Sequence, residues 1–307
     1  MKVGILGGGQ LGRMLLQAAA NYDVTTYVLE NDAHCPAAHL CHHFTLGNIQ
    51  DFDSVYNFGK HLDALTIEIE SVNVEALEKL EQEGVKVYPT PAAIRIIKNK
   101  ILQKQFYLNN EIPTSEFHIT QNQTDLLQHI SFLPAVHKLG EGGYDGKGVQ
   151  RINSLADQSK GFNVPGLLEK AVDFEKELAV IVARNEQGQI SAFPAVEMVF
   201  HPEHNLVDFL FSPAAISMEI ESKAGKIAID LIDQMGLVGV LAVEMFLTTS
   251  GEILINEVAP RPHNSGHQTI RGNETSQYEQ HLRAISGLPL GSTKPKGVSG
   301  MLNLLGA

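Results

Sequence analysis

The chain has 307 residues, 43% of them hydrophobic and 19% charged, with a formal net charge of −12. That length and apolar content allow two or three lobes around a large buried core and exclude a disordered chain. The absence of any apolar run of about 18 residues excludes a spanning helix, and the acidic balance argues against a nucleic-acid partner.

Two cysteines, Cys35 and Cys41, are too few for a disulfide framework. The apolar stretch at Met1–Leu6 is too short for a signal peptide, so the expected compartment is the cytoplasm. Overall acidity leaves room for a phosphorylated small molecule, which needs only a few local cations and backbone N–H groups.

In chain order, Lys2–Leu6 reads as a buried strand that ends in glycines. A helix follows from Leu11 to Ala20, with Leu11, Met14, Leu15 and Ala18 on one face. Further strands are expected at Val24–Leu29, Asp63–Ile69 and Val85–Tyr88, with a helix at Val74–Glu83. This alternation predicts a parallel α/β domain up to about residue 90, closed by Thr90-Pro91. Beyond it the sequence predicts one helix over Ala92–Leu108, a β-rich stretch around a glycine loop at 140–148, and strands near 166–170 and 176–183. A helix from Lys223 to Met235 is stopped by Gly236, and a hairpin spans 240–258.

Four segments carry chemistry. Gly7-Gly8-Gly9-Gln10-Leu11-Gly12, between a strand and a helix and followed by Glu30, fits the dinucleotide fingerprint. On its own it reads first as an NAD site, with a tight turn that holds no nucleotide as the alternative. Gly140–Gly148 has five glycines in nine residues after a strand that ends at Lys138. Such a loop can fold backbone N–H groups over polyphosphate, or can be a plain surface turn. A turn centred on Ser250-Gly251 pairs Glu244 with Glu257 across the hairpin, at about 5 Å. Two facing carboxylates repel and call for a hard divalent cation, unless the pair lies on the solvated face. Arg261-Pro262-His263-Asn264-Ser265-Gly266-His267 then concentrates groups that bind anions and move protons. The run His34–His43 is rich in His and Cys, but its spacing matches no standard zinc pattern, and it reads as a loop.

Taken together, GGGQLGRM (7–14), TIEIESV (66–72), GGYDGKG (142–148), Glu169–Glu177 and INEVAPRPHNSGH (255–267) resemble the ATP-grasp superfamily. Within it they are most similar to the N5-carboxyaminoimidazole ribonucleotide synthetase family, over the whole chain. The resemblance implies a Rossmann-like parallel α/β domain, which presents substrate and binds no NAD, followed by an ATP-grasp fold of two α+β lobes. The expected bounds are 1–92, 93–170 for the small lobe and 171–295 for the large lobe. Residues 296–307 would start a C-terminal domain that the family continues, with basic residues for the substrate phosphate.

The same resemblance implies ATP-dependent carboxylation of aminoimidazole ribonucleotide by bicarbonate, through carboxyphosphate, in a homodimer that passes its product to a separate mutase. Lys100 and Lys138 would contact ATP phosphates, under the loop Gly143, Tyr144, Asp145, Gly146, Lys147, Gly148 and Val149. Glu169, Lys170, Ala171 and Val172 would hold adenine, largely through backbone groups, and Glu177 the ribose, with His201 near the nucleotide. Glu244 and Glu257 would bind Mg²⁺ beside Asn256. Arg261, His263 and His267 would serve the bicarbonate and amine chemistry, either imidazole being a candidate base, with Asn264 and Ser265 beside them. Gln10, Leu11, Glu70, Tyr144, Asp145 and Lys147 would face the substrate. Lys100 stands where the family has Arg, which implies weaker bidentate phosphate recognition. An NAD oxidoreductase would account only for residues 7–30. Another ATP-grasp enzyme would share the carboxylate pair but not GGYDGKG and HNSGH, and a non-catalytic nucleotide-binding protein is the third alternative.

Overall fold

The computed structural model describes residues 1–143, 148–200 and 207–303. Its first sheet is wholly parallel, with strands β1 (Lys2–Leu6), β2 (Thr25–Glu30), β3 (His43–Leu46), β4 (Ala64–Ile67) and β5 (Lys86–Tyr88) in the order β3-β2-β1-β4-β5. Strand β1 is apolar on both sides because both faces are covered. Ile5 packs with α1 (Gln10–Ala19), whereas Leu6 packs with α2 (Phe52–Gly59) and α3 (Val74–Gln82). The buried stripe of α1 is Gly12, Leu15, Leu16 and Ala19. The expected Leu11, Met14 and Ala18 lie at its margin, half-buried against the same cluster.

The single helix expected at 92–108 is two helices, α4 (Pro91–Lys98) and α5 (Lys100–Asn109). Asn99 breaks it with an extended backbone (φ −110°, ψ 105°), and its side chain accepts hydrogen bonds from the amides of Ile101 and Leu102. Asparagine competes with the helical ladder in this way and makes a good cap. The break starts α5 at Lys100, whose own amide donates to Gly140 O.

A four-stranded antiparallel sheet follows: β6 (Phe117–Thr120), β7 (Ala135–Leu139), β8 (Val149–Ile152) and β9 (Gly166–Lys170), ordered β6-β9-β7-β8. The third sheet is also antiparallel. It contains β10 (Phe174–Arg184), β11 (Ile190–Ala192), β12 (Val196–Phe200), β13 (Val207–Ser212), β14 (Gly239–Thr248) and β15 (Ile253–Ala259). With β16 (Ser299–Leu302) the order is β15-β14-β10-β12-β13-β16, and β11 pairs with β10. Helix α6 (Met218–Gln234) starts at the cap Ser217 and covers one face. There Leu178, Val180 and Val182 of β10 meet Leu241, Val243 and Met245 of β14. Val240 and Ala242 lie on the opposite face, beneath α8 (Gln277–Ile285), after the short α7 (Thr269–Gly272). Strand alternation places Glu244 on that second face, where the apolar row gives way to acid.

Helix α8 joins the first sheet to the third. His281 is fully buried, accepts the Val240 amide on Nδ1 at 3.2 Å, and meets Thr66 Oγ1 on Nε2 at 2.9 Å. Tyr278 and Leu282 enter the α1 cluster. Glu186 reaches from the β10–β11 turn to Lys86 at 2.8 Å and to the Tyr88 hydroxyl.

Candidate functional site

Glu244 and Glu257 face each other across β14 and β15. The pairing holds for an unforeseen reason. On the turn side the register is Met245↔Ile255, one residue away from the axis that a turn centred on Ser250-Gly251 sets. A bulge at Asn256 takes up the extra residue and restores the facing pair at Glu244↔Glu257. Burial, then the charges of Glu257 and Glu177, push the Glu244 carboxyl up to about 8. Burial also lifts Glu177, on neighbouring β10, to about 7. Burial raises Glu257 too, but Lys100 and Lys138 outweigh it and hold the carboxyl below the usual range. Two facing carboxylates that resist ionising together, Glu257 already anionic, fit a divalent cation such as Mg²⁺.

Cations line the other wall. Lys100 Nζ lies 3.1 Å from Glu257 Oε1. Lys138 Nζ lies 3.2 Å from Glu169 Oε2 and 3.4 Å from Asn256 Oδ1. The loop 140–148 joins β7 to β8, rooted by the Leu139 amide on Gly148 O and by the Lys138↔Val149 pair. Val149 is therefore placed beside Lys138 and Gly148 beside Leu139, with Gly143 against Gly148, while Tyr144, Asp145, Gly146, Lys147 and His201 lie outside the described residues.

At the junction after β9, the amides of Lys170 and Ala171 are already bonded, to Glu116 O at 2.8 Å and Pro134 O at 3.2 Å. Backbone contacts to a base from this segment are thus confined to carbonyls and the Val172 amide. The Lys170 ammonium is spent on Phe132 O at 2.9 Å. The Glu169 carboxylate is buried and faces the lysines rather than the cleft.

The run after β15 is held by one side chain. Gln277, fully buried, accepts the His263 amide at 2.9 Å and donates to His263 O at 2.7 Å. Gly266 is required there, because a Cβ would stand 2.3 Å from Gln277 Oε1. His263 Nδ1 accepts the Ser265 amide at 3.4 Å, meets Ser265 Oγ at 2.9 Å and lies 3.6 Å from Glu244 Oε1. Burial, then Arg261, pull this imidazole down to about 3. His267 Nδ1 faces Gln277 Nε2 at 3.4 Å and the Tyr278 hydroxyl at 3.2 Å, and burial lowers it as well. With Nδ1 accepting on both rings, the neutral tautomer carries its proton on Nε2. Both imidazoles are therefore set to donate to an anion, not to take a proton. Ser265 is wholly buried and spent on His263, which leaves exposed Asn264 as the group free to touch a ligand. Arg261 pairs with Glu70, Nη2 donating to Oε2 at 3.1 Å and Nε standing 2.9 Å from Oε1 without a hydrogen bond, and ties this run to the first sheet.

Comparison with known proteins shows the family. Residues 1–98 match the ribonucleotide synthetase preATP-grasp domain and residues 105–278 the ATP-grasp domain. An N5-carboxyaminoimidazole ribonucleotide synthase from Brucella melitensis is 38% identical over 99% of this chain and 85% of its own length. The chain belongs to the N5-carboxyaminoimidazole ribonucleotide synthase family of ATP-grasp proteins. A chloroplastic phosphoribosylaminoimidazole carboxylase from Vigna aconitifolia is 41% identical over 99% of this chain, which spans 55% of that relative's length. A family structure from Aspergillus clavatus, in complex with ADP and 5-aminoimidazole ribonucleotide, superposes with a TM-score of 0.91 at 34% identity, covering 100% of this chain and 82% of that one.

Within this family frame the glycine turn at 7–12 has a physical explanation that excludes a dinucleotide. Its N–H groups already hold carboxylates. Gly8 donates to Glu30 Oε2 at 2.9 Å and Leu11 to Glu68 Oε1 at 3.2 Å. A Cβ on Gly9 would lie 2.6 Å from Glu68 Oε1. The positive helix terminus is neutralised from within, and a pyrophosphate would meet two anions. Gln10, by contrast, is exposed at the mouth of the turn. The 34–42 stretch is a loop and His43 opens β3: Cys35 is buried, His42 bonds Thr26, and no group of three or more metal-ligating side chains occurs among the described residues.

Sequence reasoning missed Lys104, Glu68 and Gln277. Lys104 alone left a signal, since it stands four residues after Lys100 on the same helical face.

Proposed function

We propose that this chain carboxylates 5-aminoimidazole ribonucleotide at its exocyclic amine, using ATP and bicarbonate, to form N5-carboxyaminoimidazole ribonucleotide, ADP and phosphate. The observation that carries this reading is the facing pair Glu244–Glu257 with Lys100 and Lys138 on the opposite wall. Glu244 and Glu257 would hold Mg²⁺, with Asn256 beside them, and the ion would offset phosphoryl charge. Lys100, released from Glu257, and Lys138 bind the phosphates.

A bicarbonate oxygen attacks the γ-phosphorus and the bond to the bridging oxygen breaks, which gives carboxyphosphate and ADP. The substrate amine then attacks the carboxyl carbon, or CO₂ released from it, and the departing phosphate takes up the proton that the amine loses. His263 and His267 donate Nε2–H to the developing carboxylate and phosphate, a role their bound Nδ1 atoms support. Arg261, held by Glu70, orients bicarbonate. Gln10, Leu11, Glu70 and Asn264 face the substrate, with Tyr144, Asp145 and Lys147. Glu177 holds the ribose of ATP, and the 169–172 segment its adenine.

The domain bounds 1–92, 93–170 and 171–295 follow from this division of labour. The setting we propose is a cytoplasmic homodimer that passes its labile product to a separate mutase. No helix among the described residues is long and apolar enough to cross a membrane.

The test is incorporation of labelled bicarbonate into an acid-labile product. Label that requires both ATP and 5-aminoimidazole ribonucleotide supports the reading. Incorporation independent of the ribonucleotide, or none beside robust ATP hydrolysis, contradicts it.

A further inference from the structure

Lys104 is among the most deeply buried charged side chains of the molecule, 2% exposed in the middle of α5. Its ammonium meets Glu169 Oε2 at 3.2 Å, Ser115 Oγ at 3.0 Å and Thr114 Oγ1 at 2.5 Å. Ser115 Oγ in turn donates to the same Glu169 oxygen at 2.9 Å. That oxygen also receives Lys138, at 3.2 Å. One buried carboxylate oxygen is therefore shared by two ammonium groups and a hydroxyl. Burial raises the Glu169 carboxyl, but Lys138 and Lys104 outweigh it and keep the group anionic. Burial pulls the Lys104 ammonium down to about 8 against the pull of Glu169.

The two lysines differ in what else they can reach. Lys104 is enclosed by Thr114, Ser115 and Glu169 and points at no open space. Lys138 lies at the cleft, 3.4 Å from Asn256, beside the carboxylate pair. A carboxylate with a single buried ammonium partner holds it tightly, because in a low-dielectric surround neither charge has an alternative. A second ammonium divides that attraction and leaves one cation in excess. The Thr114 hydroxyl that takes Lys104 also donates to Ile255 O, on the strand that carries Asn256 and Glu257. The arrangement is thus fixed to the metal strand and not only to the small sheet.

We infer that Lys104 is a positioning residue: by sharing Glu169 it holds Lys138 in place and leaves the Lys138 ammonium available to a nucleotide phosphate. This rests on the assignment of Lys138 to the phosphates under the proposed function. Glu169 is then a carboxylate that seats a lysine, beyond any backbone contact it offers to adenine.

Removing Lys104 charge alone leaves Glu169 to Lys138, which pairs more closely and gives less to the phosphate. Removing both charges as a neutral unit, in the double variant Lys104→Met with Glu169→Gln, frees Lys138 again. The experiment measures Mg-ATP affinity by titration calorimetry, and the KM for the ribonucleotide acceptor by steady-state kinetics, for wild type, K104M, E169Q, K104M/E169Q and K138M, with melting curves to confirm folding. The expected result is a Kd for Mg-ATP about tenfold weaker in K104M, an unchanged KM for the ribonucleotide, and a double variant that binds Mg-ATP more tightly than K104M. Additive losses in the double variant, or a K104M that folds and binds Mg-ATP like wild type, overturn the inference. If K104M does not fold, the comparison of K104M/E169Q with E169Q decides: equal Mg-ATP affinity supports action through Glu169, and a further loss overturns it. A K138M variant with unchanged Mg-ATP affinity instead overturns the assignment of Lys138 on which the inference stands.

Discussion

Substituting Glu244 by Gln should make the metal-free protein more stable, and increasingly so as pH rises. The Glu244 carboxyl is raised from its ordinary 4.5 to about 8, first by burial and then by Glu257 and Glu177. An acid whose folded value is raised binds more protons folded than unfolded, so between the two values the folded state loses ground as pH increases. Integrated over that window, the penalty is about 1 kcal/mol at pH 5, about 3 at pH 7 and about 5 at pH 9. Gln keeps the shape of the protonated acid and does not ionise. Urea unfolding of both proteins in a chelator, at those three pH values, should show the gap widening in favour of E244Q. Saturating Mg-ADP should then stabilise the wild type far more than the variant, because only the wild type offers both carboxylates to the ion. Equal stability at all three pH values would refute the facing-carboxylate account, since a solvated Glu244 carries no such penalty.

Deleting Asn256 removes the bulge yet keeps Glu257 opposite Glu244, because Glu257 then follows Ile255 on the regular register. The deletion should therefore cost ATP hydrolysis far less than Glu257→Gln, which should lower it by more than about 100-fold while circular dichroism stays native. His281, pulled down to about 4 by burial, binds fewer protons folded than unfolded. Stability should therefore drop by about 3 kcal/mol as pH falls from 6.5 to 4, and H281Q should blunt that loss in acid-unfolding curves. Glu70→Gln frees the Arg261 guanidinium and should raise the KM for the ribonucleotide by about tenfold, with little effect on Mg-ATP affinity measured by calorimetry.

Four of the five strands of the first sheet were legible because parallel strands buried on both faces read as apolar runs, as Lys2–Leu6 does, whereas the largely exposed edge strand β3 has no such run. The break at Asn99 was not. Helical periodicity continues across Lys98-Asn99-Lys100, and the Asn99 cap together with the tertiary bond from the Lys100 amide to Gly140 O fixes where α5 begins. The Glu244–Glu257 pair was read from a turn whose register is in fact offset, and it stands because Asn256 bulges. A bulge depends on the partner strand and leaves no mark in one strand's alternation. The glycine turn shows the same limit: its spacing demands close approach by something, and only the fold shows that Glu68 and Glu30 supply it. Lys104 stayed hidden because its partners lie 10 to 65 residues away and meet it only once β9 packs on α5. The tautomers of His263 and His267 depend on Ser265, Gln277 and Tyr278, and no motif encodes them.

The central claim is that a metal-binding carboxylate pair and a ribonucleotide acceptor site act on one ATP. The most direct measurement is ADP formation by this chain with Mg-ATP and bicarbonate, with and without 5-aminoimidazole ribonucleotide, for wild type and Glu257→Gln. The account predicts strong stimulation by the ribonucleotide in the wild type and its loss in the variant. ADP release that ignores the ribonucleotide, or a Glu257→Gln chain that is stimulated as well as the wild type, would contradict it.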